Sequence, residues 1–249
     1  MTLETMTEFM ETADIETSSD GYAARFAGKV GAWFLEVQRS ATLDMLAPYP
    51  GATILDLGGG HGQLTEALIW RRYDVTVGGS AEICKARIAS FVDRKLCNFE
   101  VVDFLNLPYA DRSFGIVISY RLLPHVTQWE RFIAEMARVA EKGILIDYPE
   151  KHSVNYFTPN LFRLKKQLEG NTRPYRVFTQ AELLSVFQQH NFALSECYPE
   201  FFLPMVLHRK LKLPQISAAL EDVSRRLRLT KHFGSPVIMK LLRQQSDLG

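Results

Sequence analysis

The sequence has 249 residues, which suits one large domain or a core domain with a cap, since domains take about 100–200 residues. Hydrophobic residues make up 47% and charged residues 23% of the chain, which excludes a mainly disordered protein. Lys and Arg number 29 against 28 Asp and Glu. The resulting net charge of +1 argues against a general nucleic-acid binder, which carries a clear basic excess. We therefore expect no nucleic-acid partner.

The three cysteines, Cys84, Cys97 and Cys197, are odd in number and far apart, so neither a disulfide framework nor a metal site is predicted. Residues 1–16 are acidic and lack the apolar core of a signal peptide. No apolar run approaches the roughly 18 residues that a membrane-spanning helix needs. These features predict a cytoplasmic protein with reduced thiols.

The N-terminal part of the chain is predicted to be helical. The first twenty residues contain six acids and no Lys or Arg, so we expect a mobile or loosely docked arm there. From Gly21 to about Leu46, apolar residues recur at helical spacing and predict two helices broken near Gly28. Pro48 and Pro50 then end this segment, so we expect residues 1–48 to form a helical cap.

The rest of the chain alternates short apolar runs with amphipathic stretches. The predicted strands cover 52–57, 73–77, 99–104, 114–119, 143–148, 192–198 and 234–242, and the predicted helices cover 62–71, 81–93, 127–141 and 179–190. This alternation indicates βαβ units and a doubly wound α/β fold with helices on both faces of a mostly parallel sheet. We therefore expect one domain over 49–249, with helical insertions at about 151–176 and 203–231 that enclose a ligand.

The most informative segment runs from Asp56 to Gly62 and reads DLGGGHG. A buried strand ends at an acidic residue, enters a glycine-rich turn and is followed at once by a helix. Glycines allow a tight turn and a close approach of a ligand to the main chain, and the helix start offers free N–H groups. We expect His61, inside this loop, to be a solvent-facing spacer rather than a catalytic group.

The spacing D-x-G-x-G-x-G differs from the GxGxxG of dinucleotide-binding enzymes and resembles motif I of class I S-adenosylmethionine-dependent methyltransferases. Further segments are similar to the same family, at residues 97–114, at 119–126 and along the fifth predicted strand, 143–148. The resemblance covers about residues 50–150. Helices that precede such a core are similar to those of ubiquinone/menaquinone-type and other small-molecule methyltransferases. The resemblance implies a Rossmann-like seven-stranded sheet, S-adenosylmethionine as the cofactor and S-adenosylhomocysteine as its product.

The resemblance also implies roles for individual residues. The acid of motif I, here Asp56, would help hold the methionine ammonium of the cofactor. Asp103 would accept a hydrogen bond from the adenine amino group, with Phe104 beside the ring. The cofactor-binding residues expected in this way are Asp56, Gly58, Gly59, Gly60, Gly79, Ser80, Asp103, Phe104, Ser119 and Tyr120.

One departure from the family concerns the ribose of the cofactor. The second strand of these proteins usually ends in Asp or Glu, whose carboxylate binds the ribose hydroxyls. Here the chain reads Val77-Gly78-Gly79-Ser80, so Gly79 or Ser80 stands at the acidic position. Ser80 offers one hydrogen bond and Glu82 follows at the next helix start, but neither replaces a bidentate carboxylate.

The acceptor side of the cleft is predicted less specifically. Tyr22 and Arg25 are candidates for a lid over the ligands, and Arg121 either fixes an anionic acceptor or pairs with a nearby acid. Tyr148 follows the fifth strand and should face the cleft. His125 and His152 are candidate general bases because an imidazole titrates near neutrality. The alternative for His125 is a packing residue that caps the next helix.

The leading hypothesis is a methyltransferase that acts on an oxygen or carbon of a small, partly hydrophobic molecule. A methyltransferase acting on RNA or protein and a non-catalytic adapter that kept the scaffold are the alternatives, and a nicotinamide-dependent oxidoreductase is disfavoured by the glycine spacing. The basic run 209–231 is either a solvated helix face or a weak contact with an anionic surface.

Overall fold

One sheet of seven strands organises the residues that the computed structural model describes, 11–154 and 175–244. The strands are β1 (Thr53–Leu57), β2 (Asp74–Gly79), β3 (Asn98–Val101), β4 (Phe114–Ser119), β5 (Ala140–Tyr148), β6 (Phe192–Pro199) and β7 (Val237–Arg243). They lie in the order β3-β2-β1-β4-β5-β7-β6, and only β7 runs antiparallel to its neighbours. This is the predicted doubly wound, mostly parallel α/β fold.

The helices of the described residues, numbered in chain order, surround this sheet. They are α1 (Ala13–Thr17), α2 (Asp20–Ala23), α3 (Gly28–Leu46), α4 (Thr65–Trp70), α5 (Ala89–Asp93), α6 (Trp129–Val139), α7 (Gln180–Gln189), α8 (Met205–Leu211), α9 (Pro214–Arg226) and α10 (Leu229–Phe233). Helix α7 begins at a capping box in which Thr179 and Glu182 bind each other's backbone N–H groups. The break predicted near Gly28 is present, since Gly28 has a φ of +74° at the start of α3.

Each face of the sheet supports its own hydrophobic core. Successive strand residues point to opposite faces, so Leu55 packs with residues of α6 and α7 whereas Ile54 packs with residues of α3 and α4. Both side chains are fully buried. The continuous apolar runs of the strands therefore follow from burial on both faces, as the sequence predicts.

Several predicted boundaries are wrong for local reasons. The strand predicted over 99–104 ends at Val101, and the chain turns at Asp103, whose carboxylate accepts the Leu105 N–H at 2.9 Å. The helix predicted over 62–71 begins only at Thr65, because the glycine loop uses residues 59–61 for a 3₁₀ turn. The stretch 81–93 divides into a 3₁₀ turn over Glu82–Lys85 and α5. The region 203–231 is three helices, with Lys212 in the left-handed region before Pro214.

The prediction of a loosely docked arm is wrong for residues 11–20. Glu11 and Asp14 are buried, and α1 packs on the glycine loop. The carboxylate of Glu11 accepts the N–H groups of Thr127 and Gln128, at 2.7 and 3.0 Å, just before the first turn of α6. Two of the acids that suggested a solvated arm, Glu11 and Asp14, therefore bind backbone N–H groups of the folded domain. Residues 1–10 and most of the predicted insertion 151–176 lie outside the described residues, and the domain limits stay a prediction.

A core substitution tests this packing. Phe132 of α6 is fully buried and its ring lies 5.9 Å from that of Phe104. Replacing Phe132 by Ala should lower the free energy of unfolding by about 3–5 kcal/mol, because the cavity adds to the lost burial. Urea unfolding followed by circular dichroism measures this, with Trp70→Ala, an aromatic side chain 77% exposed, as the control. A Phe132→Ala protein as stable as the control would contradict the assigned core.

Candidate functional site

The sheet order reverses between β1 and β4, and this point creates a crevice at the carboxyl ends of the strands. Asp56 on β1 lies beside Val77 on β2 and Ile118 on β4, and Ser119 lies beside Ile146 on β5. In open α/β sheets, ligands bind outside the carboxyl ends of the strands at such a reversal. The residues that sequence reasoning singled out from four separate strands are therefore brought to one edge.

The glycine loop has no room for side chains at two of its positions. A Cβ atom on Gly59 would lie 2.1 Å from Oδ2 of Asp56, and one on Gly60 would lie 2.3 Å from the carbonyl oxygen of Cys84. Gly58 and Gly62 adopt φ angles of +76° and +72°, which side chains disfavour. The loop is therefore specified by contacts with the acid before it and with the chain after β2.

Asp56 is fully buried, and neither carboxylate oxygen has a hydrogen-bond partner among the described residues. Burial raises the pKa of Asp56 to about 7. A buried acid without donors is costly, so it is retained where a ligand supplies them. This orphaned carboxylate next to a glycine loop fits a ligand that carries a cationic donor, such as the ammonium of S-adenosylmethionine.

The expectation that His61 faces solvent is wrong. The ring is buried, its Nδ1 accepts the Gln63 N–H at 3.2 Å, and its Nε2 has no partner among the described residues. Burial, followed by the charges of Arg121 and Arg87, lowers its pKa to about 3. His61 is therefore neutral at physiological pH and contributes shape, and one unused nitrogen, to the floor of the crevice.

The end of β2 has no acid of its own and is bound by an acid from α1. A Cβ atom on Gly79 would lie 2.9 Å from the ring of Phe99 and 3.0 Å from Cβ of Cys84, so no side chain fits there. The next residue, Ser80, donates its backbone N–H to Asp14 of α1 at 2.7 Å and its hydroxyl also bonds to that carboxylate. Asp14 is fully buried. Sequence reasoning missed Asp14 because it lies 66 residues away along the chain.

The remaining residues expected at the cofactor are buried or half-buried near the same edge. Ser119 donates to the Leu57 carbonyl at 3.0 Å, which ties β4 to β1, and the Tyr120 hydroxyl lies 2.9 Å from that of Thr42. Phe104 is fully buried against Phe132, while Asp103 is half-buried and caps its own turn. Cofactor contacts by these residues stay predictions.

A buried polar cluster lies where β4 and β5 end beneath α3. Gln38 of α3 donates to Asp147 and to Glu200, both at 3.3 Å, and accepts from Arg121 at 2.8 Å. Asp147 also accepts the Arg121 N–H at 2.6 Å. Burial raises the pKa of Asp147 to about 6, and burial with the charge of Asp147 raises that of Glu200 to about 8. No sequence signal pointed to Gln38 or Glu200.

The candidate lid residues meet this cluster through Arg121. Its guanidinium lies 4.2 Å from the centre of the Phe26 ring, and its Nη1 is buried without a partner among the described residues. The rings of Tyr22 and Phe26 are tilted against each other with their centres 5.9 Å apart. Arg25 lies over the Tyr22 ring and 3.6 Å from Glu16. The Arg121 side chain donates to Gln38 and keeps one unused donor, so whether it fixes an anionic acceptor or pairs with an acid stays a prediction.

Three other predicted acceptor-site residues are placed differently. Tyr148 is fully buried in the core, and burial raises its pKa. His125 is half-buried in the turn after β4, with its ring 5.5 Å from that of Tyr175. His152 is exposed and contacts Glu150 at 3.2 Å. Roles for these residues in substrate binding or catalysis stay predictions, and the exposure of His152 places it outside the buried cluster.

Two features are absent from the described residues, 11–154 and 175–244. No group of three or more His, Cys, Asp or Glu side chains there is arranged to hold a metal ion. None of their helices is both long and apolar enough to span a membrane.

Comparison with known proteins agrees with this geometry. Residues 55–146 match the family described as a methyltransferase domain. The chain is 32% identical over 99 residues to ajmaline N-methyltransferase of Rauvolfia serpentina, which covers 37% of this chain and 34% of that protein. It is 30% identical over 107 residues to an O-methyltransferase of Pyrenophora dematioidea, covering 41% and 40%. The match thus spans well under half of each curated relative.

Solved structures extend the similarity to the whole fold. The magnesium protoporphyrin IX methyltransferase of Synechocystis PCC 6803, solved with bound S-adenosylhomocysteine, superposes with a TM-score of 0.62. The superposition covers 92% of this chain and 96% of that one, at 14% identity. At this identity the likeness establishes the fold.

The burial of Asp56 makes a prediction about pH. Because the folded protein holds its pKa near 7, above the ordinary value of about 4, this group favours folding at low pH and loses that contribution as pH rises through 7. Asp56→Asn removes this dependence. The free energy of unfolding of Asp56→Asn relative to the original protein should rise between pH 4 and pH 7, by on the order of 3 kcal/mol.

Urea unfolding at a series of pH values measures that difference. The matched control is Asp74→Asn, an exposed aspartate at the start of β2, which separates burial from the mere loss of a carboxylate. A difference for Asp56→Asn that is constant across the range would show that the carboxylate is hydrated in the folded protein.

Proposed function

Because the chain carries a class I S-adenosylmethionine-dependent methyltransferase domain, we propose that it transfers a methyl group from S-adenosylmethionine to an oxygen or carbon of a small, partly hydrophobic molecule. The observation that supports this most directly is Asp56, a buried acid without donors beside a loop that excludes side chains. Nitrogen is the alternative target atom, since one relative is named an N-methyltransferase.

The cofactor supplies an electrophilic methyl group on a sulfonium, and the protein's task is to orient the two reactants and exclude water. Asp56 would bind the ammonium of the methionine part, and Gly58, Gly59 and Gly60 would let that part approach the backbone. The unused Nη1 of Arg121 is a donor for a carboxylate, either that of the cofactor or one on the acceptor.

We propose that Asp14 takes the place of the acid missing from β2 and binds the ribose hydroxyls. Its carboxylate is fixed by two donors of Ser80, and a carboxylate has about four acceptor positions, so acceptor capacity remains. Burial and the Asp14 carboxylate together raise the pKa of the adjacent Cys84 thiol to about 12, so this neighbour stays neutral. No ion pair among the described residues includes Asp14, and the diol would add the donors that a buried anion needs.

The acceptor would bind against the polar cluster under α3. At neutral pH, Asp147 with a pKa of about 6 is ionised while Glu200 with a pKa of about 8 is protonated. Two acids whose pKa values are separated in this way supply one proton acceptor and one donor. We propose Asp147 as the proton acceptor for a hydroxyl substrate, ahead of His125 and the exposed His152. The rings of Tyr22 and Phe26 supply the apolar part of the surface.

Calorimetric titration tests the proposal directly. The full chain should bind S-adenosylmethionine and S-adenosylhomocysteine with micromolar affinity, and NADH should not bind. A screen with radiolabelled S-adenosylmethionine against phenols, quinones, glycosides and amines would then identify the acceptor atom. A chain that binds neither adenosyl ligand would contradict the proposed function and favour the adapter. Transfer to RNA or protein alone would contradict the small-molecule acceptor.

The role of Asp14 predicts a loss of ribose recognition. In Asp14→Asn the amide keeps the shape of the side chain but loses the negative charge that binds a diol strongly. Affinity for S-adenosylhomocysteine should fall about 10- to 100-fold, and the preference over its 2′-deoxy analogue should disappear. Calorimetry with both ligands measures the two effects.

The control for Asp14 is Asp20→Asn on the same arm, since Asp20 is exposed and pairs with Arg87 at 2.7 Å. Glu11→Gln loosens the arm at α6 without touching β2, so it should change the affinity for both ligands by the same factor. An Asp14→Asn protein that binds S-adenosylhomocysteine as tightly as before, or more tightly, would mean that the arm obstructs the site.

The role of Asp147 predicts a change in the pH profile. With an acceptor from the screen, kcat should rise with pH through about 6 as Asp147 ionises, and Asp147→Asn should remove this limb and lower kcat at neutral pH. His152→Ala is the comparison variant. Retention of the limb in Asp147→Asn and its loss in His152→Ala would assign the base to His152 instead.

A further inference from the structure

Helix α9 faces the protein with its polar side. Ser217, Glu221 and Ser224 are buried, while the apolar stripe of Leu213, Ile216, Leu220, Val223 and Leu227 faces outward. The exposed fractions of these five residues are 51%, 45%, 39%, 53% and 65%. The spacing of Ile216, Leu220 and Val223 places them within about 60° of the helix circumference. Leu213 and Leu227 flank the helix at its two ends. Monomeric soluble proteins rarely expose such a contiguous stripe without a partner.

Hydrogen bonds fix the rotation of the helix. The buried carboxylate of Glu221 accepts the N–H groups of Phe202 and Leu203, each at 2.9 Å. It also lies 2.9 Å from Nε2 of His208, which is packed between the rings of Trp33 and Phe201. Turning the apolar stripe inward would break these contacts and leave a charge without donors. The outward stripe is therefore a specified feature of the fold.

The charge around the stripe is strongly positive. Residues 205–233 contain seven Lys and Arg against two acids, whereas the rest of the chain has a net charge of −4. The exposed charges of this segment are the positive Lys210, Lys212, Arg226, Arg228 and Lys231 and the negative Asp222. Val206, Leu207 and Phe233 of the neighbouring helices α8 and α10 are exposed apolar residues as well.

We propose that the apolar stripe of α9, with the basic residues of α8 to α10, docks this protein on an anionic phospholipid surface. A helix that lies in the membrane interface combines an apolar face with flanking Lys and Arg, which bind anionic headgroups. A second copy of the chain is a poorer occupant, because a two-fold contact would bring two strongly positive segments together. The stripe lies outside the crevice, so this inference stands apart from the proposed activity.

Co-sedimentation with vesicles tests the docking surface. The full chain should sediment with vesicles of phosphatidylcholine and phosphatidylglycerol, remain in solution with phosphatidylcholine alone, and dissociate as the salt concentration rises. Val223→Gln with Leu227→Gln should weaken binding about tenfold, because two apolar side chains no longer leave water. Lys210→Gln with Lys212→Gln should weaken binding mainly at low salt.

The matched control is Trp70→Gln with Ile83→Gln, two apolar side chains that are 77% and 68% exposed elsewhere on the surface. This control should bind vesicles as the original chain does. The apolar positions changed in the variant and in its control are all exposed, so both proteins should fold. Circular dichroism verifies this. Failure of the chain to bind anionic vesicles, or equal binding by the Val223→Gln, Leu227→Gln protein, would overturn the proposal. A dimer in light scattering that only this variant disrupts, without vesicle binding, would instead make the stripe a contact between copies.

Discussion

The burial of acids along one edge of the sheet is the constraint on which the site depends. Asp14, Asp56, Asp147 and Glu200 are all at most 4% exposed, and each lies at or near the carboxyl ends of the strands. Burying a carboxylate is unfavourable unless donors surround it or its pKa rises. Asp14 has the donors of Ser80, Asp147 has Arg121 and Gln38, and Asp56 has none among the described residues. Asp56 is therefore the buried acid on which the proposed binding of a cationic ligand group rests.

The glycines and the N-terminal arm are two consequences of this arrangement. Gly59 leaves the space that the Asp56 carboxylate fills, and Gly79 leaves space that Phe99 and Cys84 fill. With β2 unable to hold a carboxylate of its own, the acid at this position comes from α1, which Glu11 fastens at the start of α6. The arm thus supplies part of this edge of the sheet instead of merely covering it.

A buried acid also sets the orientation of α9, on a surface outside the crevice. Glu221 is buried with three hydrogen-bond partners, and satisfying this one acid turns five apolar side chains outward. If hydrophobic burial alone set the rotation of this helix, its apolar side chains would turn toward the protein. The outward apolar stripe and its basic neighbours therefore form a surface feature that is separate from the chemistry of the crevice.

The sequence alone determined the α/β class, the order of strands and helices, and the glycine loop with its acid, because period-2 and period-3.6 patterns and glycine spacing are local. The continuous apolar runs predicted helices on both faces of the sheet, and Ile54 and Leu55 do lie in two different cores. It could not reveal Asp14, Gln38 or Glu200, since each acts through a contact with a residue distant along the chain. Their partners lie 66 to 162 residues away, and only the folded chain brings them together. The predictions from local pattern were also wrong for two acids of the arm and for His61, all of which are buried. Burial depends on what packs against a residue, and that is a property of the tertiary structure.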